Sequence, residues 1–170
     1  MSGSQQSGTG LHSLVLRIST GWAVLGGFIL LIVMAINVYS VITAAVIGKS
    51  FSGDFELTEI GVAVAAFSFL PYCQINGHNV TADIFTAKAS KFWLSLFSLA
   101  SSLVALGFGL LLLWRMYYGM LDMATYDSTT AILQIPLSWG YGACLLSLAL
   151  LAVAAGTTVY EEFRNMTRTA

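Results

Sequence analysis

Charge is almost absent from four long stretches of this chain, and polar segments separate them. The runs from about Thr20 to Ile47, Glu56 to Ile75, Phe92 to Tyr118 and Ile135 to Tyr160 consist largely of Leu, Ile, Val, Ala, Phe and Gly. About 20 apolar residues, at ~1.5 Å rise each, cross a hydrocarbon core of ~30 Å. The pattern therefore predicts an all-α, integral membrane four-helix protein. Around it the chain divides into a polar, Gly- and Ser-rich tail (residues 1–13), a four-span domain (14–160) and a charged tail (161–170). The first tail has the composition of a disordered segment. It lacks the basic start and small-residue cleavage site of a signal peptide, so the first span is expected to stay attached.

The second run has the most patterned ends. Asp54, Glu56 and Glu59 open it, an uncharged stretch follows from Ile60 to Ile75, and the polar turn Asn76-Gly77-His78-Asn79 closes it. Glu59 is the acid nearest the hydrocarbon and is the one expected to hold a buried partner. Pro71, near the far end, predicts a kink or an end to the helix. After the turn, Val80, Ile84 and Ala87 recur at helical spacing, with Lys88 and Lys91 on the polar side. That pattern predicts a short interfacial helix between spans two and three.

Within the spans, small residues form stripes suited to close helix contact: Gly61/Ala65/Ser68, Ser101/Ala105/Gly109 and Ala152/Gly156. Asn37 reads as a helix–helix hydrogen-bond partner, and Trp22 and Tyr39 as interface anchors. Arg115, beside Trp114, Tyr117 and Tyr118, reads as a snorkelling arginine at the exit of span three. Pro136 suits a first helical turn, where its missing N–H costs nothing. Cys73 and Cys144 both lie in apolar runs and read as small packing residues.

Composition agrees with the membrane reading. Hydrophobic residues make up 57% of the 170 positions and charged residues 9%, against roughly 25% charged in a soluble domain. The net charge of -1 gives no support for nucleic-acid binding. With the N-terminus in the cytoplasm, Arg17, Lys88, Lys91, Arg164 and Arg168 fall inside, and Lys49 and Arg115 fall outside. The positive-inside rule thus predicts that both termini are cytoplasmic. The acids Asp54, Glu56, Glu59, Asp122 and Asp127 then face outward.

The sequence is poor in chemistry. The span interiors hold no Asp, Glu, Lys or His, so the chain lacks the buried ionisable groups that a transporter acting alone usually needs. No phosphate-binding glycine loop or nucleophile elbow is present. His78 with Asp83 at the inner surface is the one pair that suggests an enzyme or redox anchor, and it has no third ligand nearby. The expectation is therefore no catalytic residue, no metal and no cofactor. An autonomous four-span channel or exporter is a further alternative.

The order of features resembles the small membrane subunit of TRAP (tripartite ATP-independent periplasmic) transporters. The matching residues are Glu59 at the start of span two, Gly77-His78-Asn79-Val80 with Asp83-Ile84 after it, and Ala131-Ile132-Leu133-Gln134-Ile135-Pro136 with Trp139 and Tyr141 opening span four. The resemblance implies three things. A periplasmic solute-binding protein captures a solute, often an organic acid. A large membrane subunit moves it on an ion gradient. This chain packs beside the large subunit as scaffold in a bacterial inner membrane. Glu59, His78, Asp83, Ala105, Arg115 and Pro136 are then candidates for partner contact or structure.

The predicted topology is checked by reporter fusions at Ala170 and Asp127. The expected result is a cytoplasmic signal at Ala170 and an external one at Asp127.

Overall fold

The computed structural model describes residues 10–76 and 91–169. Four helices account for nearly all of them: α1 (Gly10–Ile47), α2 (Asp54–Ile75), α3 (Lys91–Thr125) and α4 (Leu137–Thr169). All four are long and apolar enough to cross a membrane. In hydrocarbon each peptide group must find its partner within the segment, which favours continuous helices over any irregular backbone. The expected interfacial helix lies outside the described residues.

The helix bounds differ from the apolar runs in ways that make physical sense. The α1 helix begins at Gly10, inside the expected polar tail, and Ser13 Oγ donates to the Gly10 carbonyl at 3.0 Å in its first turn. The α2 helix does not end at Pro71 but continues to Ile75. Pro71 is fully buried there. Its ring removes the helical donor to the Phe67 carbonyl, a loss that membrane helices tolerate where neighbours pack closely. The α3 helix runs on past Tyr118 to Thr125.

The helices pack as a layer. The α1 helix lies against α2, α2 against α4, and α4 against α3, with a lighter contact between α1 and α4. Because the chain alternates direction, the two central helices, α2 and α4, run parallel. The connections 48–53 and 126–136 lie together at one end, called here the loop face. Near the other end Val15 of α1, Ile75 of α2 and Ala154 of α4 form a small buried cluster.

Small residues set the close approaches. A Cβ at Gly26 would stand 2.9 Å from Ser68 Cβ and 3.3 Å from the Ala65 carbonyl oxygen, and one at Gly61 would collide with Val33. Thus Gly61, Ala65 and Ser68 do form the α1-facing stripe of α2, and Gly26 is its counterpart. On α3 the stripe is shifted by one residue at its start. Ser102 is buried and Ser101 exposed, while Gly109 meets Leu151 of α4.

Polar side chains tie the layer across its seams. Asn37 Nδ2 donates to Thr58 Oγ1 at 2.7 Å, joining α1 to α2. Trp22 Nε1 donates to Ser147 Oγ at 2.9 Å, joining α1 to α4, so this indole serves an interhelix bond. Such bonds in a bilayer contribute about 0.6–2 kcal/mol each.

The edge helices remain largely uncovered. Val24, Phe28, Leu31 and Ile32 of α1, and Leu103, Val104, Phe108 and Leu111 of α3, are all exposed. In a membrane these faces meet lipid or another subunit.

The Gly26 contact is open to direct test. Gly26→Val should destabilise the folded chain by about 1–3 kcal/mol through overpacking. Gly27→Val, where an added Cβ meets nothing within 4 Å, should stay within about 0.5 kcal/mol of the parent. Thermal unfolding of the detergent-purified variants measures both.

Candidate functional site

The loop face holds the densest polar structure of the described residues, and it grows from the start of α2. Gly53 precedes that helix with φ of 100°, a left-handed conformation that an L side chain rarely adopts. Asp54 and Glu56 occupy the first turn, where the positive end of the helix dipole favours acids. Asp54 Oδ1 accepts from its neighbouring Phe55 amide at 2.7 Å, and Oδ2 accepts from Ser40 Oγ of α1. The same hydroxyl accepts from the Phe51 amide at 3.2 Å. The turn between α1 and α2 is thereby folded onto α1.

Glu56 performs the longer-range task. Its Oε1 accepts from the Ile132 amide at 2.7 Å and its Oε2 from the Leu133 amide at 2.9 Å. Those two N–H groups lie at the tip of the connection between α3 and α4. Much of the rest of that connection is bonded within itself. The Thr130 amide donates to the Ile135 carbonyl, the Ile135 amide donates to Thr130 Oγ1, and the Leu137 amide donates to the Ser128 carbonyl. Gln134 takes φ of 55° to close the turn, and its side-chain amide donates to the Ala131 carbonyl. A single antiparallel bridge joins Thr129 to Pro136. Two adjacent amides at the tip are left pointing outward, and one carboxylate receives both.

Gly53 completes the joint. A Cβ there would stand 2.6 Å from Leu133 Cγ, so the glycine makes room for the Leu133 side chain. A side chain at position 53 would both strain the backbone and push the tip away from Glu56.

Beside this joint, α2 and α3 are held apart by α4, leaving a groove of about 310 Å³. Ala63 and Phe67 of α2, Met116 and Met123 of α3 and Tyr141 of α4 line it, with Glu59 on the α2 wall toward the loop face. Glu59 is exposed and makes no hydrogen bond or ion pair with any described residue.

The structure separates the residues that the sequence picked out. Glu59 borders the groove, whereas the acid buried with partners is Glu56. Ala105 is half-buried on the α4-facing side of α3, four residues before Gly109. Arg115 is exposed, and its helix continues ten residues further, to Thr125, so it lies within α3 rather than at its exit. Trp114 and Tyr118 meet edge-on at 5.6 Å next to it. Pro136 stands just before α4, in the bridge with Thr129, and its carbonyl accepts from the Trp139 amide at 3.2 Å. His78 and Asp83 lie outside the described residues. The sequence reading missed Glu56 and Gly53. Their signal was a glycine placed immediately before a first turn that carries two acids.

Comparison with known proteins places the chain within a described family. The family model described as tripartite ATP-independent periplasmic transporters, DctQ component, matches residues 33–165. No curated protein and no solved structure matches the chain. The family match spans α2, the Glu56 joint and the motif Ala131–Pro136 that forms it.

The Glu56 joint predicts a specific pattern of hydrogen exchange. Glu56→Ala should expose the Ile132 and Leu133 amides and speed their exchange. Glu56→Gln should protect one of the two amides better than the other, since its side chain offers a single acceptor oxygen. Glu59→Ala should leave both unchanged. Exchange measured by mass spectrometry over peptides spanning 128–137, with the variants compared side by side, checks this.

Proposed function

Because the chain belongs to the DctQ component family of the tripartite ATP-independent periplasmic transporters, we propose that this small membrane subunit acts as scaffold for a large permease subunit. In this reading the large subunit moves an organic acid or similar solute, which a periplasmic binding protein delivers, and an ion gradient drives uptake. The complex sits in the bacterial inner membrane with both termini of this chain in the cytoplasm.

The observation that carries the scaffold role is the open layer. A chain that conducts a solute by itself needs a polar or ionisable path through the bilayer. Here small and apolar side chains make up much of the interior, with Ala65 of α2 and Leu148, Ala154 and Ala155 of α4 fully buried. The polar side chains buried along the spans, among them Ser68, Ser147 and Thr157, are uncharged, and the buried acid Glu56 lies at the loop face. The exposed apolar flanks of α1 and α3 supply a broad surface to hold a partner and to anchor it in lipid.

The external acids support a second element of the reading. Asp122 and Asp127 are exposed. A negative face of this kind steers the approach of a binding protein with a complementary surface.

Reconstitution tests the proposal. The purified chain in proteoliposomes should take up no solute above the empty-liposome rate. Together with its large subunit, its binding protein and an ion gradient it should support uptake. Solute uptake by the chain alone would contradict the scaffold role.

A further inference from the structure

We infer that the groove between α2 and α3 is the seat of one transmembrane helix of the large permease subunit, and that this helix carries a lysine or arginine that pairs with Glu59. The inference rests on the scaffold reading and assigns it a face.

Three observations converge on this groove. First, its shape is made by the fold. Each wall helix packs on α4 rather than on the other, so α4 is the floor, and Gly140, whose added Cβ would stand 3.4 Å from Ile60, keeps that floor low on the α2 side. Secondly, its lining is apolar and adaptable. Ala63 leaves a gap on the α2 wall, and Met116 and Met123 supply flexible thioether side chains opposite. Methionine suits a surface that must fit a partner's side chains.

The third observation is the charge. Glu59 is the acidic residue lining this groove, and among the described residues nothing pairs with it. It differs in this from Glu56, one turn earlier, whose carboxylate is occupied by two amides of its own chain. It differs also from Asp54, which holds Ser40. A helix seated in the groove shields this exposed carboxylate from water, and a carboxylate so shielded needs a partner of opposite charge. A basic side chain near the outer end of the seated helix supplies that partner, while the apolar remainder of the helix fills the groove.

The alternative occupant is a phospholipid. An anionic headgroup is repelled by Glu59, and a zwitterionic one brings its ammonium only together with a phosphate. A lysine or arginine side chain brings the opposite charge alone, so charge complementarity favours a protein helix.

Site-directed photo-crosslinking with the co-expressed large subunit tests the inference. A benzoylphenylalanine replaces Ala63 in the groove, or Trp114, which is exposed and lies on the side of α3 away from Met116 and Met123. Crosslinking to the large subunit from position 63 is expected. Crosslinking from 114 but not from 63 would overturn the groove assignment while leaving the scaffold role intact, and lipid adducts alone at 63 would overturn it likewise. Failure of the two chains to co-purify at all would instead contradict the scaffold role. In the parallel arm, Glu59→Lys should lower recovery of the large subunit on the tagged chain about tenfold. Reversing the charge of one basic residue at an outer helix end of the large subunit, to Glu, should restore it. Unchanged recovery with Glu59→Lys would overturn the ion pair. Glu59→Gln separates charge from fold, because it keeps the size of the side chain. It should lower recovery while the chain's own thermal midpoint stays the same.

Discussion

The carboxylate of Glu56 holds the loop face together. Two successive amides at the tip of the connection between α3 and α4 cannot bond to one another, and the hydrocarbon below offers them nothing. A single two-oxygen acceptor, fixed on the first turn of α2, takes both. This joins the start of α2 to the turn that launches α4, so the two central helices share an origin and a direction. The remainder of the layer is built outward from that pair. The α1 helix attaches to α2 through Gly26 and Asn37, and α3 attaches to α4 through Gly109 and Gly119.

An open layer has a different economy from a closed bundle. In lipid there is no hydrophobic drive to bury a leucine, so helices adhere where backbones approach closely or where polar groups meet. Each seam here has such a device, and none of them requires the edge helices to wrap around. The result is two broad apolar flanks, a groove where α2 and α3 fail to meet, and a polar face at one end. Those attributes support the proposed role of holding another membrane protein, and family membership makes the chain a transporter component.

The four spans were legible because hydrocarbon imposes one simple rule on composition and length, and four helices of the chain obey it. Contact stripes were legible only to within a residue. A strict four-residue step, such as Ser101 to Ala105 to Gly109, drifts around a helix of 3.6 residues per turn. The contact face of α3 follows Ser102, Ala105 and Gly109 instead. The choice among the acids was not legible at all. Asp54, Glu56 and Glu59 are chemically alike and occupy one helix start, and what distinguishes them is a turn about 76 residues further along the chain. Gly26 was hidden for the same reason. Gly27 beside it is its equal in sequence, and only the position of α2 makes one indispensable and the other free. The motif Ala131–Pro136, on which the family resemblance was read, forms this joint. Its amides, its left-handed Gln134 and its proline each have a place in the joint.

The most direct test of the account is the composition of the particle that this chain forms in the membrane. Native mass spectrometry on the tagged chain, extracted in mild detergent after co-expression with its large subunit, measures it. The account predicts a mass that contains both chains. A population made only of this chain, as monomer or self-assembly, with the large subunit intact elsewhere in the same membrane, would contradict it.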